Sequence, residues 1–162
     1  TDTVFSTSAT TRRPRTGEED GREYHFVEKD SFEAMIASGD VLEWAEYGGN
    51  YYGTPRTEVL PLLAAGTNVV LDIENEGAKQ VRASFPDAVL IFIRAPSKKE
   101  LERRLRGRGD TSGPDIERRL GVVDQQIAEA HSVYDHIVVN DDLETAIGDV
   151  LDILASLVSD QP

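Results

Sequence analysis

Apolar and polar positions change rhythm along the chain, and each change marks an element. Val4–Thr7 reads as a short strand running into a Ser/Thr- and Arg-rich loop, and the alternation over Tyr24–Val27 predicts a second strand. Asp30 with Glu33 three residues on has capping-box spacing, so a helix is expected over Ser31–Ser38 with Gly39 as its stop. Val41–Tyr47 is a third predicted strand, and Gly48-Gly49-Asn50 leading to Tyr51-Tyr52 predicts a hairpin return.

From Thr54 the texture alternates between helix and strand. Thr54 as N-cap and Pro55 at the first helical position predict a helix to Gly66. Asn68–Ile73 is a nearly continuous apolar run with an acid at its carboxyl end, as in a buried parallel strand. A helix is expected over Glu76–Phe85, a strand over Ala88–Ile93, and a helix from the Ser97/Glu100 capping box to about Gly107. The breaker-rich stretch Gly109–Pro114 leads to a helix from Asp115 to about His131, a strand His136–Val139, and an amphipathic helix Leu143–Leu157. A β-rich segment followed by alternating helices and strands implies one α/β domain with a parallel sheet covered by helices.

Composition narrows the class of ligand. The formal net charge of −13 opposes nucleic-acid binding, which needs a basic face. Arginine clusters in so acidic a chain suit a small anion instead. With no cysteine, disulfides and thiolate metal sites are excluded. No apolar run has membrane-spanning length and no signal peptide is evident, so no membrane partner and a cytoplasmic location are expected. The chain opens Thr1-Asp2-Thr3 and its one methionine is Met35, so an N-terminal portion is expected to precede it.

Residues 8–26 hold the first candidate chemistry. Arg12 and Arg15 stand three apart among hydroxyls, and arginine's planar fork fits phosphate oxygens bidentately; a solvated loop is the plainer reading. Tyr24 and Tyr52 could donate to phosphate or pack. Glu43, in LEWAEY, alternates with Trp44 on one strand; its carboxylate could accept from guanine N1–H and N2–H2, or face solvent. Asp72 and Glu74 lie at the carboxyl end of the apolar strand, where open α/β sheets bind ligands: Asp72 could organise Mg2+ and Glu74 could read a base, or either could cap the next helix. Arg103, Arg104, Arg106, Arg108, Arg118 and Arg119 surround the Gly109–Pro114 loop. Arginines on such a loop can close over transferring phosphoryl oxygens, whereas i,i+4 acid pairing accounts for Arg103 and Arg104. The histidines have no metal-like spacing, and no G-x-x-x-x-G-K-[ST] occurs in the 162 residues.

Together FSTSATTRRPR, G-x-x-Y-x-F, LEWAEYGGNYYGT, VVLDIENEG, RLRGRGDTS with the following RRL, and VVND resemble guanylate kinase in order and spacing across nearly the whole chain. The resemblance implies a P-loop NTPase-like parallel sheet core flanked by helices, with a GMP-binding insert over 8–53, core segments 54–107 and 120–162, and a lid over 108–119. It implies phosphorylation of GMP or dGMP by Mg2+·ATP to give GDP and ADP. Ser8, Arg12, Arg15, Tyr24 and Tyr52 correspond to the GMP phosphate site, and Glu43, Thr54 and Glu74 to the guanine site. Arg108 and Arg119 correspond to lid arginines, Asp72 to the acid near Mg2+, and Asn140 to the residue near the ATP base or ribose. Glu74 stands where the family usually has Asp, and Glu76 where it has Gln. The family's first strand and P-loop are not among these residues, so the chain as given is expected to be inactive alone. The alternative is a non-catalytic guanylate-kinase-like module that holds GMP or a phosphorylated peptide.

Overall fold

In the computed structural model, residues 3–108 and 112–159 are described, apart from the side chains of Arg108, Val158 and Ser159. The chain divides into two compact units, residues 1–88 and 89–162.

The first unit holds β1 (Thr3–Phe5), β2 (Ala9–Thr10), β3 (His25–Phe26), α1 (Lys29–Ser38), β4 (Val41–Tyr47), β5 (Asn50–Pro55), α2 (Arg56–Ala64), β6 (Asn68–Val70) and α3 (Asn75–Ser84). β1 and β6 pair in parallel, Val4 opposite Val69. The other strands form a four-stranded sheet in the order β3-β2-β5-β4. The β4–β5 hairpin turns through Gly48 and Gly49 at φ 62° and 76°, the two positive values that a two-residue type I′ loop requires. Its partner registry sets Glu43 directly opposite Thr54. One side of the sheet is covered by α1, whose fully buried Phe32 packs with Ala9 and Val41 while Met35, Ile36, Trp44 and Tyr51 close around them.

Several boundaries differ from expectation, each for a physical reason. α1 starts at Lys29, capped by extended Glu28 (φ −70°, ψ 154°) with no side-chain capping bond, so Asp30 lies inside the first turn and the capping box does not form. Thr54 does not cap α2: β5 runs through Pro55, which takes the N-cap position, and the Thr54 side chain is buried in the sheet. β6 ends at Val70 because its ladder with β1 ends at Phe5, where Ser6 N–H donates to the Val70 carbonyl.

The second unit holds β7 (Ile91–Arg94), α4 (Lys98–Arg108), α5 (Gly113–Val133), β8 (His136–Val139) and α6 (Leu143–Ser159). β7 and β8 pair in parallel from Ile91 opposite His136 to Arg94 opposite Val139. β7 begins at Ile91 rather than Ala88 because Leu90 is tied to the approach of β8: its N–H donates to Asp135 Oδ2, and its carbonyl accepts from Asp135 and His136. α5 starts at Gly113, where Ser112 accepts from the Asp115 N–H. α4 and α5 pack through Leu105, Ile116 and Leu120, with Leu101 against them. Both strand pairs outside the four-stranded sheet are therefore parallel and joined through helices, giving the expected mixed α/β class.

Candidate functional site

Two clusters form around the four-stranded sheet of the first unit. The first begins at Arg12, just beyond β2. Its guanidinium makes a two-pronged ion pair with Glu18, Nη1 and Nη2 each 2.9 Å from a carboxylate oxygen. Glu18 Oε2 also accepts the Arg15 N–H at 2.7 Å, which ties both arginines to one turn. The Arg12 guanidinium lies 5.5 Å from the Tyr24 ring centre and 5.7 Å from that of Phe26, within cation–π range. Tyr24 in turn meets Tyr52 edge to face at 6.1 Å.

The electrostatics show how closely these groups converge. The Glu18 hydrogen bond holds the Arg12 pKa above the ordinary guanidinium value, with Tyr52 contributing. Burial pushes the Tyr24 phenol up, and the charge of Asp72 adds to the shift. Asp72 is exposed and lies beyond β6, and its charge reaches Tyr24. Ser8 sits half-buried between β1 and β2, its carbonyl accepting from the His25 N–H at 2.9 Å. Arg15 is exposed on its turn.

The second cluster is the base of a buried acid. Glu43 is 3% exposed and Thr54 fully buried, and the Thr54 hydroxyl donates to Glu43 Oε1 at 2.6 Å. Burial raises the Glu43 pKa, while the hydroxyl and backbone N–H of Thr54 oppose the rise. The solvent-facing reading of Glu43 is thereby overturned: a buried carboxylate is costly unless it is hydrogen-bonded or has a ligand to receive. Glu74 is exposed and takes the N-cap position of α3 with no side-chain capping bond.

Sequence reasoning did not single out three participants. Glu18 orients Arg12, and its signal was the turn that brings an acid back onto the arginine pair. Gly77, in the first turn of α3, lies against the Glu43 carboxylate. Gln80 bonds the backbone of Trp44 in both directions, Nε2 to the carbonyl at 2.7 Å and the Trp44 N–H to Oε1 at 3.2 Å.

In the second unit, Arg103 and Arg104 pair with Glu100 as i,i+3 and i,i+4 neighbours, and their hydrogen bonds pull the Glu100 pKa down to about 2. Arg104 also donates from Nη1 to the carbonyl of Asn140 at 2.7 Å, fixing the backbone just after β8. Arg119 is half-buried on α5. Arg108 ends α4 with its side chain outside the described set, and Gly109–Thr111 also lie outside it. Among the described residues no group of three or more His, Cys, Asp or Glu side chains could hold a metal ion. No described helix is long and apolar enough to cross a membrane.

The comparisons with known proteins agree with one another. The family model for guanylate kinase matches residues 1–157. A guanylate kinase of Synechococcus sp. (strain CC9902) is 53% identical over 143 residues, covering 88% of this chain and 76% of the relative. One from Gloeobacter violaceus is 51% identical over 157 residues, covering 97% of this chain and 76% of the relative. A crystal structure of guanylate kinase from Anaplasma phagocytophilum superposes with a TM-score of 0.78 at 31% identity, covering 95% of this chain and 75% of that one. The chain therefore belongs to the guanylate kinase family, a nucleotide-binding transferase of the α/β P-loop class.

Proposed function

We propose that this chain carries the acceptor side and lid of an enzyme that transfers the γ-phosphoryl group of ATP to GMP or dGMP, giving GDP and ADP. One observation carries the reading: a buried, hydrogen-bonded carboxylate, Glu43 on Thr54, stands in the sheet whose strand β5 also carries Tyr52 of the Arg12–Tyr24–Tyr52 cluster. A carboxylate kept out of water accepts guanine's N1–H and N2–H2 together, and adenine offers no such pair of donors. Glu74 contributes a second acid at the base. Arg12, Arg15, Tyr24, Tyr52 and Ser8 receive the GMP phosphate through charge-assisted and hydroxyl hydrogen bonds.

Phosphoryl transfer spreads charge over the equatorial oxygens, so positioning and electrostatic stabilisation do most of the work. Arg108 and Arg119 take that role from the lid, and Asn140 lies beside the ATP base or ribose. Mg2+ would enter with ATP, held mainly by substrate phosphates and one or two carboxylates, of which the exposed Asp72 would supply one. When bound it neutralises developing phosphate charge. The 162 residues contain no G-x-x-x-x-G-K-[ST], so they supply no amide cradle for the β and γ phosphates and bind GMP without turning it over by themselves.

Isothermal titration of the chain with GMP and AMP tests the acceptor side. GMP binds and AMP binds more weakly; equal affinity, or no binding by folded protein, refutes the guanine-site assignment.

A further inference from the structure

We infer that α3 positions the base-reading carboxylate: Gly77 leaves the space that the tip of Glu43 occupies, and Gln80 pins the strand that carries it. The inference rests on the reading of Glu43 as the guanine acceptor and adds the residues that aim it.

A Cβ built on Gly77 would overlap Glu43 Oε2 and come within 3.0 Å of Cδ and 3.5 Å of Cγ. What it meets is the end of a flexible side chain, so a methyl group there is accommodated by turning the carboxylate. Folding tolerates that movement; base recognition does not. Helix propensity gives no reason for a glycine at this place, since alanine is the better helix former. Space for Glu43 does.

Gln80 lies one turn further along α3. Its amide satisfies both the N–H and the carbonyl of Trp44, the residue after Glu43. β4 is the last strand in its sheet, so on this side the Gln80 side chain takes the place of a neighbouring strand. Glu43 is thus held on one side by Thr54 of β5 and on the other by α3. Neither Gly77 nor Gln80 needs to touch the nucleotide; both are positioning residues.

The experiment compares GMP with IMP, which lacks the 2-amino group, by isothermal titration of the unmodified chain. It includes Gly77→Ala, Gln80→Leu, Glu43→Gln and the double variant Gly77→Ala/Glu43→Gln, with thermal unfolding alongside. Gly77→Ala weakens GMP binding about 10- to 100-fold, the range for lost hydrogen bonds to a charged group. IMP binding changes less, and any fall in unfolding temperature is limited to the Thr54–Glu43 hydrogen bond, offset in part by alanine's better helix propensity. The double variant is no worse than Glu43→Gln alone, because Gly77 acts only through Glu43. Gln80→Leu narrows the GMP/IMP ratio as well, and decides the matter should Gly77→Ala fail to fold. If Glu43→Gln loses the preference for GMP while Gly77→Ala keeps it, or if their effects add, this inference falls and the guanine site stands. If Glu43→Gln keeps the preference, the guanine site itself is refuted, and the inference with it.

Discussion

Deleting the Thr54 hydroxyl isolates what keeps Glu43 ready for a ligand. Thr54→Val preserves the shape of a fully buried side chain and removes only the donor 2.6 Å from Glu43 Oε1. A hydrogen bond to a charged group contributes about 1.5–3 kcal/mol, and one between neutral groups about 0.5–1.5 kcal/mol. Burial already raises the Glu43 pKa, and the Thr54 bonds hold it back, so the variant's pKa lies higher still. A raised carboxylate pKa has a definite sign. The folded state favours the protonated acid, so this contribution to stability is largest below the ordinary value of 4.5 and declines as pH climbs through the folded pKa. In Thr54→Val the decline continues to higher pH. The stability gap between the two proteins is therefore about 0.5–1.5 kcal/mol in acid and widens to about 1.5–3 kcal/mol once both carboxylates are ionised.

Urea unfolding at a series of pH values measures that gap directly. Ligand binding supplies a second readout, because only the ionised acid accepts both guanine donors. The GMP phosphate itself titrates near pH 6, so the useful quantity is the ratio of GMP to IMP affinity, in which that ionisation cancels. The ratio collapses on acidification in both proteins, and does so at higher pH in the variant. A stability gap that stays constant with pH, or a ratio that titrates identically in both proteins, refutes the coupling between Thr54 and the charge on Glu43.

Two further perturbations address other parts of the first unit. Arg15→Ala weakens GMP binding by about 1.5–3 kcal/mol in a calorimetric titration, and an unchanged affinity would make Arg15 an ordinary surface cation. Gly39→Ala strains the end of α1, where Gly39 (φ 74°) and Asp40 donate their N–H groups to the carbonyls of Ile36 and Met35. Left-handed backbone costs a residue with a Cβ about 1–2 kcal/mol, so urea unfolding shows a loss of that size; none would mean the helix end relaxes without cost.

What the sequence made legible was local chemistry. The Gly48-Gly49 turn, the Gly39 stop and the strand His136–Val139 each depend on neighbouring residues, and each stands where the pattern predicted it. The readings that failed were local signals overruled by distant partners. Thr54-Pro55 has the form of a helix start, yet Thr54 is claimed by Glu43, eleven residues back across the hairpin. Alternation separates Glu43 from Trp44 but cannot tell which side is buried; that depends on β5 and on α3, more than thirty residues away. Asp30 and Glu33 have capping-box spacing, but the chain is already helical from Lys29. Gly77 could be read only as a glycine in a helix until the carboxylate filling its space was in view. The site motifs were legible as a set because their order and spacing are specific, while the atoms that aim them come from tertiary packing.

In the proposed acceptor site, charge is divided differently at the two ends, and under that reading the division separates affinity from selectivity. Arg12 brings a cation to the phosphate end, but Glu18 takes both of its Nη groups in a two-pronged pair and accepts the Arg15 N–H as well. A fixed counter-ion lowers the net attraction for phosphate while holding the donors in place, so Arg12 contributes geometry as well as charge. Arg15 lies exposed on the same turn. At the base end the balance is reversed. Glu43 is a buried negative charge raised in pKa, supported by one hydroxyl and one N–H and seated against a glycine. Under the proposed reading, guanine's two donors relieve that unfavourable burial, and a base without them leaves it in place. Tight phosphate binding alone would accept any nucleoside monophosphate; the buried acid is what makes the base matter.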